Sequence, residues 1–371
     1  MSASLRLSRR RFRLAAVAAS SAIAIAVPVA TASAATSQAG RPALPATAVR
    51  CTKEIPAQPP PLGILKALPA SYSATGKRVP VPRPVPTPQL KPVCPAGMVP
   101  VLKNLVGSHG NPDQARRLSR APSAGPNRVS PSSLIEQPCD GTEEYGGCYY
   151  WSAASDLRTA QGGGVSMTIE NPTVAETPVS QAGHSLEEMS VQAGPNEDNI
   201  VEIGSIVWSD ENAPWLFVFH WINGKQTCYY ACGFVPENST YYPGMSLISM
   251  VGDTVYDGYV FWKGSWWAWF NDQWLGYFPG SIWNDQFENS TQVQWFGEVE
   301  ATAGVPPQTQ MGDGLFASNA AAAPMSTLCD VDYAAWRCYY YNQQTLFQSD
   351  PLFYTVQNTT FGADRLGGPG T

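Results

Sequence analysis

Histidine is nearly absent from this chain, with three among 371 residues. The eight cysteines, at 51, 94, 139, 148, 228, 232, 329 and 338, therefore lack the imidazoles that would complete common zinc sites. Disulfides in an oxidising compartment are the better reading. Pairing of neighbours would close four local loops, although other connectivities stay open from sequence alone. Also missing are a Gly-x-Ser-x-Gly elbow, a phosphate loop, a dinucleotide fingerprint and a His-Glu-x-x-His pair, so nothing calls for serine-hydrolase, nucleotide or zincin chemistry. Beyond the first thirty-four residues no apolar run reaches the length of a membrane span. No convincing three-turn helix and no repeat of fixed period is present.

What is there begins with an export signal. Ser8-Arg9-Arg10-Arg11-Phe12 places a twin-arginine pair before an apolar run from about Leu14 to Val29, and Ala32-Ser33-Ala34 offers a peptidase site. The mature chain is expected to start near Ala35 and to be secreted, through the twin-arginine route. Residues 1–34 hold five arginines and no acid, so removing them leaves eighteen basic and twenty-nine acidic residues, a net charge of −11. Such a field repels polyanions and argues against nucleic acid as a partner.

Two regions follow. Residues 35–137 contain nineteen of the thirty-three prolines and no tryptophan. Stretches such as Val81-Pro82-Arg83-Pro84-Val85-Pro86-Thr87-Pro88 favour polyproline II over sheet ladders. Order is expected only in a short helical turn from Pro61 to Leu68 and in a strand from Cys94 to Val101. Residues 108–137 read as a solvated, protease-sensitive linker. This is the composition of a propeptide.

Residues 138–371 hold all twelve tryptophans, and their short apolar runs are punctuated by Gly, Pro, Asn and Asp. That pattern predicts an all-β fold, an antiparallel β-sandwich. Strands are expected at Val165–Asn171, Ile200–Trp208, Trp215–Trp221, Gly258–Trp262, Trp266–Phe270 and Val293–Val299. Turns are expected at Lys263-Gly264-Ser265 and Asn271-Asp272.

Two glutamates stand out within the strand-like runs: Glu202 in Asn199-Ile200-Val201-Glu202-Ile203-Gly204, and Glu298 in Trp295-Phe296-Gly297-Glu298-Val299. A charge in an aromatic-rich strand is costly unless something uses it. Alternation puts Glu202 on one face with Ile200, Gly204, Ile206 and Trp208, and Gly204 leaves room beside the carboxylate. Glu300 reads as the exposed end of its strand. The bland alternative makes Glu298 a solvated residue and Glu202 a salt-bridged one. Trp262, Trp266, Trp267, Trp269 and Trp274 read either as a ligand-stacking platform or as core. His220, between Phe219 and Trp221, reads as a core histidine. His184 sits beside Ser185, but adjacent strand residues face opposite ways and make no catalytic pair.

These residues together resemble the neprosin family of secreted glutamic peptidases, first recognised in plants as prolyl endopeptidases. The resemblance covers nearly the whole mature chain. It rests on Cys51 and Cys94-Pro95-Ala96-Gly97-Met98-Val99-Pro100 in the propeptide region. It continues at Asn171-Pro172, the Glu202 segment and Cys228-Tyr229-Tyr230-Ala231-Cys232-Gly233-Phe234. Further matches are Ser265-Trp266-Trp267, Leu275-Gly276-Tyr277-Phe278-Pro279, Gly297-Glu298-Val299 and Met311-Gly312-Asp313-Gly314. Departures are Ser205 where the family usually has tryptophan, Phe296 where it has a second glycine, a closer cysteine pair, and Cys329 and Cys338 in the tail.

The resemblance implies a β-sandwich with Glu202 and Glu298 as the catalytic pair; Trp208, Trp266, Trp267 and Tyr277 are expected to bind substrate through their aromatic rings. It implies no cofactor or metal, an acid-active endopeptidase that cuts polypeptides after proline, and a propeptide that blocks the cleft as inhibitor. Two carboxyls close together share a proton, which suits acid–base hydrolysis. Competing readings are a β-sandwich glycoside hydrolase using the same two carboxylates and a secreted binding module without catalysis.

Overall fold

The computed structural model describes residues 49–55, 57–61, 70–72, 78–80, 90–102, 147–175, 183–194, 198–211, 213–227, 232–302, 306–332, 337–339, 344–360 and 362–369. The export signal, the 108–137 linker, residues 62–68 of the turn expected from Pro61 to Leu68, and Cys139 lie outside them. All described residues belong to the unit Ala43–Thr371.

Short apolar runs broken by glycine, asparagine and aspartate fold as strands. The N-terminal region contributes β1 (Val49–Lys53), β2 (Ala70–Tyr72), β3 (Arg78–Pro80) and β4 (Met98–Leu102). Next come β5 (Gly147–Asp156), β6 (Gly162–Thr168), β7 (His184–Ala193), β8 (Asn199–Trp208), β9 (Pro214–Ile222), β10 (Lys225–Gln226) and β11 (Val235–Pro236). A meander of β12 (Thr254–Trp262), β13 (Ser265–Phe270) and β14 (Gln273–Pro279) precedes β15 (Gln292–Thr302). The chain closes with β16 (Pro324–Asp332), β17 (Arg337–Tyr339), β18 (Thr345–Gln348), β19 (Thr355–Thr360) and β20 (Ala363–Gly367). Among the described residues the helical turns are two short 3-10 turns, Ile248–Met250 and Gly280–Trp283.

The meander shows turn chemistry at work. Lys263 and Gly264 (φ 47° and 76°) and Asn271 and Asp272 (φ 49° and 59°) all take left-handed conformations. Two consecutive positive-φ residues match the right-handed twist of the flanking strands and close a tight hairpin. The expected strands are present with shifted ends; the run Val165–Asn171, for instance, is realised as β6, Gly162–Thr168.

Two antiparallel sheets form the sandwich. One has seven strands in the order β10-β9-β8-β7-β15-β5-β18; the other has nine, in the order β11-β14-β13-β12-β6-β16-β20-β19, with β17 on β16. Odd-numbered residues of β8 (Val201, Ile203) join Met189, Val191, Leu216, Val218, Val293 and Trp295 against Tyr259, Phe261, Trp266 and Phe270 of the other sheet. Buried indoles tie the layers together: Trp295 Nε1 donates to the Gly164 carbonyl (3.0 Å) and Trp283 Nε1 to the Trp221 carbonyl (2.7 Å). Each sheet thus has a second, outer face. We call that of the seven-stranded sheet the front and that of the nine-stranded sheet the back.

The N-terminal region forms a ribbon in which β1 pairs with β4, closed by the Cys51–Cys94 disulfide (Cα–Cα 5.7 Å). Its described contacts are with the nine-stranded sheet and the loop before it. Ala57 packs on the back-face aromatic cluster, Lys263 Nζ donates to Gln58 Oε1 (2.6 Å), and the Val93 N–H reaches the Ser239 carbonyl (2.8 Å). Cys232 and Cys329 are also disulfide-bonded.

Candidate active site

The site is built on β7, a strand that its sequence disguises. His184-Ser185-Leu186-Glu187-Glu188-Met189-Ser190 looks polar and solvated, yet all ten residues of β7 are buried. It is a middle strand, with β8 on one side and β15 on the other. Ser190 lies opposite Glu202, Glu188 opposite Gly204 and Leu186 opposite Ile206. Across its other edge, Ser190 meets Gln294, Glu188 meets Phe296 and Leu186 meets Glu298. Residues paired across strands point to the same face. Glu202 and Glu298 therefore share the front face two strands apart, with Glu188 on the diagonal between them. The relative exposures of Glu202, Glu188 and Glu298 are 3%, 3% and 1%.

Gly204 makes this spacing possible. A Cβ there would fall 2.1 Å from the Glu187 carbonyl oxygen and 2.6 Å from Glu188 Cα and Cβ. The room left by the missing side chain is taken up by the backbone of β7 and the stem of Glu188.

Both outer carboxylates are held by indoles. Trp221 Nε1 donates to Glu202 Oε2 (3.1 Å), and Trp151 Nε1 donates to Glu298 Oε2 (2.6 Å). His184 lies between two carboxylates, its Nε2 2.9 Å from Glu298 Oε1 and its Nδ1 3.3 Å from Glu300 Oε2. Burial pulls His184 down, but the hydrogen bonds and charges of Glu298 and Glu300 outweigh it and push its pKa up to about 9. Burial raises Glu298 above its ordinary value, with His184 and Trp151 pulling the other way. Glu188 is driven well above the carboxylate range, first by burial and then by the charges of Glu202 and Glu298. From beneath, the Tyr259 hydroxyl donates to the Glu202 carbonyl oxygen (3.0 Å) and anchors β8 at that residue.

Aromatic side chains flank the carboxyls. On the β9 side stand Trp215, Phe217, Phe219 and Trp221, with Phe217 and Phe219 stacked at 5.8 Å. On the β5 side Tyr149 and Trp151 pack with Phe296. Such a floor, apolar with a few convergent polar groups, is the usual make-up of a ligand site.

Of the binding residues expected from sequence, Trp208 joins this face, edge-on to His184 at 5.3 Å. The other three do not. Trp266 is turned into the core, where its Nε1 donates to the Phe287 carbonyl (2.8 Å). Trp267 and Tyr277 are paired on the back face, ring centroids 4.7 Å apart. The reason is parity: neighbours along a strand face opposite ways, and β13 lies in the other sheet. Glu300 is also relocated, since it is buried against His184 and not at an exposed end. His220 is a core residue, its Nδ1 3.0 Å from Thr227 Oγ1 and its pKa lowered to about 4 by burial.

The sequence reading passed over His184, Glu188, Trp151 and Trp221 as parts of the site. A usable signal existed for the first two, because His184, Leu186, Glu188 and Ser190 alternate like a strand face. Among the described residues no group of three or more His, Cys, Asp or Glu side chains is arranged to hold a metal ion.

Comparison with known proteins adds the following. A scytalido-glutamic peptidase bound to a transition-state-analogue inhibitor resembles this chain at 8% identity and a TM-score of 0.37, over 59% of this chain and 98% of that one. SCP-B, a member of the eqolisin family of peptidases, gives 9% identity and a TM-score of 0.31 over the same shares. A Bacillus licheniformis β-glucanase gives 9% identity and a TM-score of 0.27, over 43% of this chain and 72% of that one. The model of the neprosin family matches residues 181–368, which take in β7, β8 and β15 with Glu188, Glu202 and Glu298. That match spans more than half of the chain, and the chain belongs to the neprosin family.

Proposed function

We propose that this protein is a glutamic endopeptidase, exported and made as a zymogen, in which Glu202 and Glu298 carry the hydrolysis. Family membership supports a peptidase. The observation that carries the glutamic reading is the meeting of two carboxyls, ninety-six residues apart in sequence, on one buried face. The His184 imidazolium and the Trp151 N–H favour the ionised form of Glu298. Glu298 is therefore the base and Glu202 the acid.

In this mechanism Glu298 takes a proton from water as the water oxygen attacks the scissile carbonyl carbon. The carbonyl oxygen takes a proton from Glu202. The C–N bond then breaks as Glu298 returns its proton to the leaving nitrogen, and one hydroxyl of the tetrahedral carbon restores the proton of Glu202. Both carboxyls end as they began. The rate rises as Glu298 loses its proton and falls as the donor proton is lost. Burial raises Glu298 above its ordinary value, which moves the acid limb of that profile upward.

The zymogen and export readings are supported by the twin-arginine segment and the proline-rich 35–137 region.

The test is a cleavage assay on purified full-length protein at about pH 4 and about pH 7, using an unstructured proline-containing protein, with Glu298→Gln in parallel. Products are sequenced by mass spectrometry. Acid-dependent loss of the N-terminal region followed by cutting that the variant lacks supports the reading. Absence of cutting at either pH, or equal cutting by the variant, overturns it.

A further inference from the structure

We infer that Glu188 is a third catalytic carboxyl, whose protonated side chain donates a hydrogen bond to the scissile carbonyl oxygen as that oxygen gains charge. The inference rests on the glutamic-peptidase reading and extends it. It starts from position: Glu188 is the one front-face residue of β7 that lies between Glu202 and Glu298 on both register counts, opposite Gly204 on β8 and Phe296 on β15. Any carbonyl placed within reach of both outer glutamates has Glu188 beneath it.

The second observation concerns its partners. Glu188 is 3% exposed, yet its Oε2 has no hydrogen-bond partner among the described residues. Glu202 and Glu298, by contrast, each accept an indole N–H. An unmatched carboxyl oxygen inside a protein is costly. A hydrophobic residue of the same size would fill the position without that cost, as Leu186 does one step along the face.

The charges around it decide its state. Glu202 faces it from β8, Glu298 and Glu300 from β15, and His184 from its own strand; the front-facing β9 residues Trp215, Phe217, Phe219 and Trp221 are uncharged. Through the sheet lie Tyr259 and Asp257 of β12, the latter also buried with both oxygens unmatched among the described residues. His184 is engaged by Glu298 and Glu300, so the net field at Glu188 is that of the neighbouring acids, and burial adds to it. Glu188 is thus neutral when Glu298 is charged. A neutral carboxyl in an apolar site is a good donor to a developing oxyanion.

The experiment compares Glu188→Gln, which keeps size and a donor, with Glu188→Leu and Glu188→Met, which keep size and lose it. Circular dichroism selects whichever apolar variant folds. We expect Glu188→Gln to keep kcat within about threefold, and the apolar variant to lose about 10²–10³-fold in kcat with little change in KM, as for removal of one oxyanion donor. A separate reading needs no substrate. The infrared carboxylic-acid stretch of the wild type at about pH 7 should lose intensity in Glu188→Gln. Glu188→Gln as inactive as Glu298→Gln overturns the inference, because Glu188 would then work ionised. An apolar variant with wild-type kcat, or an unchanged infrared band, overturns it too. A wild type inactive at every pH instead sinks the peptidase reading itself.

Discussion

Among the described residues, the front and back faces of the sandwich each carry four tryptophans. Trp151, Trp208, Trp215 and Trp221 are on the front, and Trp262, Trp267, Trp269 and Trp274 on the back. Tryptophan content therefore does not tell them apart. What differs is where the indole N–H groups go. On the front, two of them end on glutamates, and that of Trp215 has no acceptor among the described residues. On the back, those of Trp269 and Trp274 have no acceptor among the described residues, and the neighbours are aromatic rings and Ala57 of the N-terminal region. The back face is organised for packing. The front face spends donors on buried charge, which is how a protein keeps a carboxylate away from water.

The strongest way to break this comparison is to neutralise one face and truncate the other. Glu202→Gln and Glu298→Gln should each lower kcat by about 10²–10⁴-fold, the usual worth of acid–base groups, while Trp267→Ala leaves kcat within about threefold. Steady-state assays on one peptide decide it, and a large kcat loss in Trp267→Ala would mean that the faces are not functionally separate. Stability should show the reverse bias. Trp267→Ala removes a buried ring that packs against Tyr277 and Trp274 and should cost about 3–5 kcal/mol in urea unfolding, whereas Glu298→Gln should cost less.

A smaller effect sharpens the assignment of the base. Trp151→Phe removes the N–H that reaches Glu298, and His184→Gln removes its cation. Each should move the acid limb of the pH–rate profile upward, because the ionised form of Glu298 loses support. A limb that stays put in both variants would assign the base elsewhere.

The gentlest test is the pH dependence of stability. Glu170 and Asp364 are pushed up to about 7 by burial, and Glu187, Asp257 and Asp330 well above their ordinary values for the same leading reason. A carboxyl whose folded pKa is raised binds its proton more tightly when folded. Its contribution is complete below the unfolded pKa and is lost as pH climbs through the folded one. His184, raised to about 9, acts in the same sense between 6.5 and 9. His220, lowered to about 4, acts oppositely and withdraws stability as pH falls from 6.5 toward 4. Thermal midpoints should therefore decline from about pH 5 to pH 9. A midpoint that rises steadily over that range would contradict these buried acids.

Much of this was legible in the chain. Alternation in Ile200–Trp208 and Val293–Val299, together with a costly charge in each, singled out Glu202 and Glu298. The Lys263-Gly264 and Asn271-Asp272 turns framed the meander as read. The strand that unites the site was not legible, because β7 carries two glutamates, two serines and a histidine and lacks the apolar pattern of a buried strand. Trp267 and Tyr277 were drawn toward the site by aromatic density, a local property that says nothing about which sheet a hairpin joins.

By itself, then, the sequence determined the elements and their faces, since side-chain alternation and turn conformation are set by a few neighbouring residues. It also determined that two carboxylates would have to be accounted for inside strands. Only the tertiary structure decided which strands became neighbours. With that choice it placed Glu188 between Glu202 and Glu298, put His184 against Glu298 and Glu300, and sent Trp266, Trp267 and Tyr277 elsewhere. The physical reason is that strand order depends on contacts between segments far apart in the chain, whereas the pattern of any one strand is local.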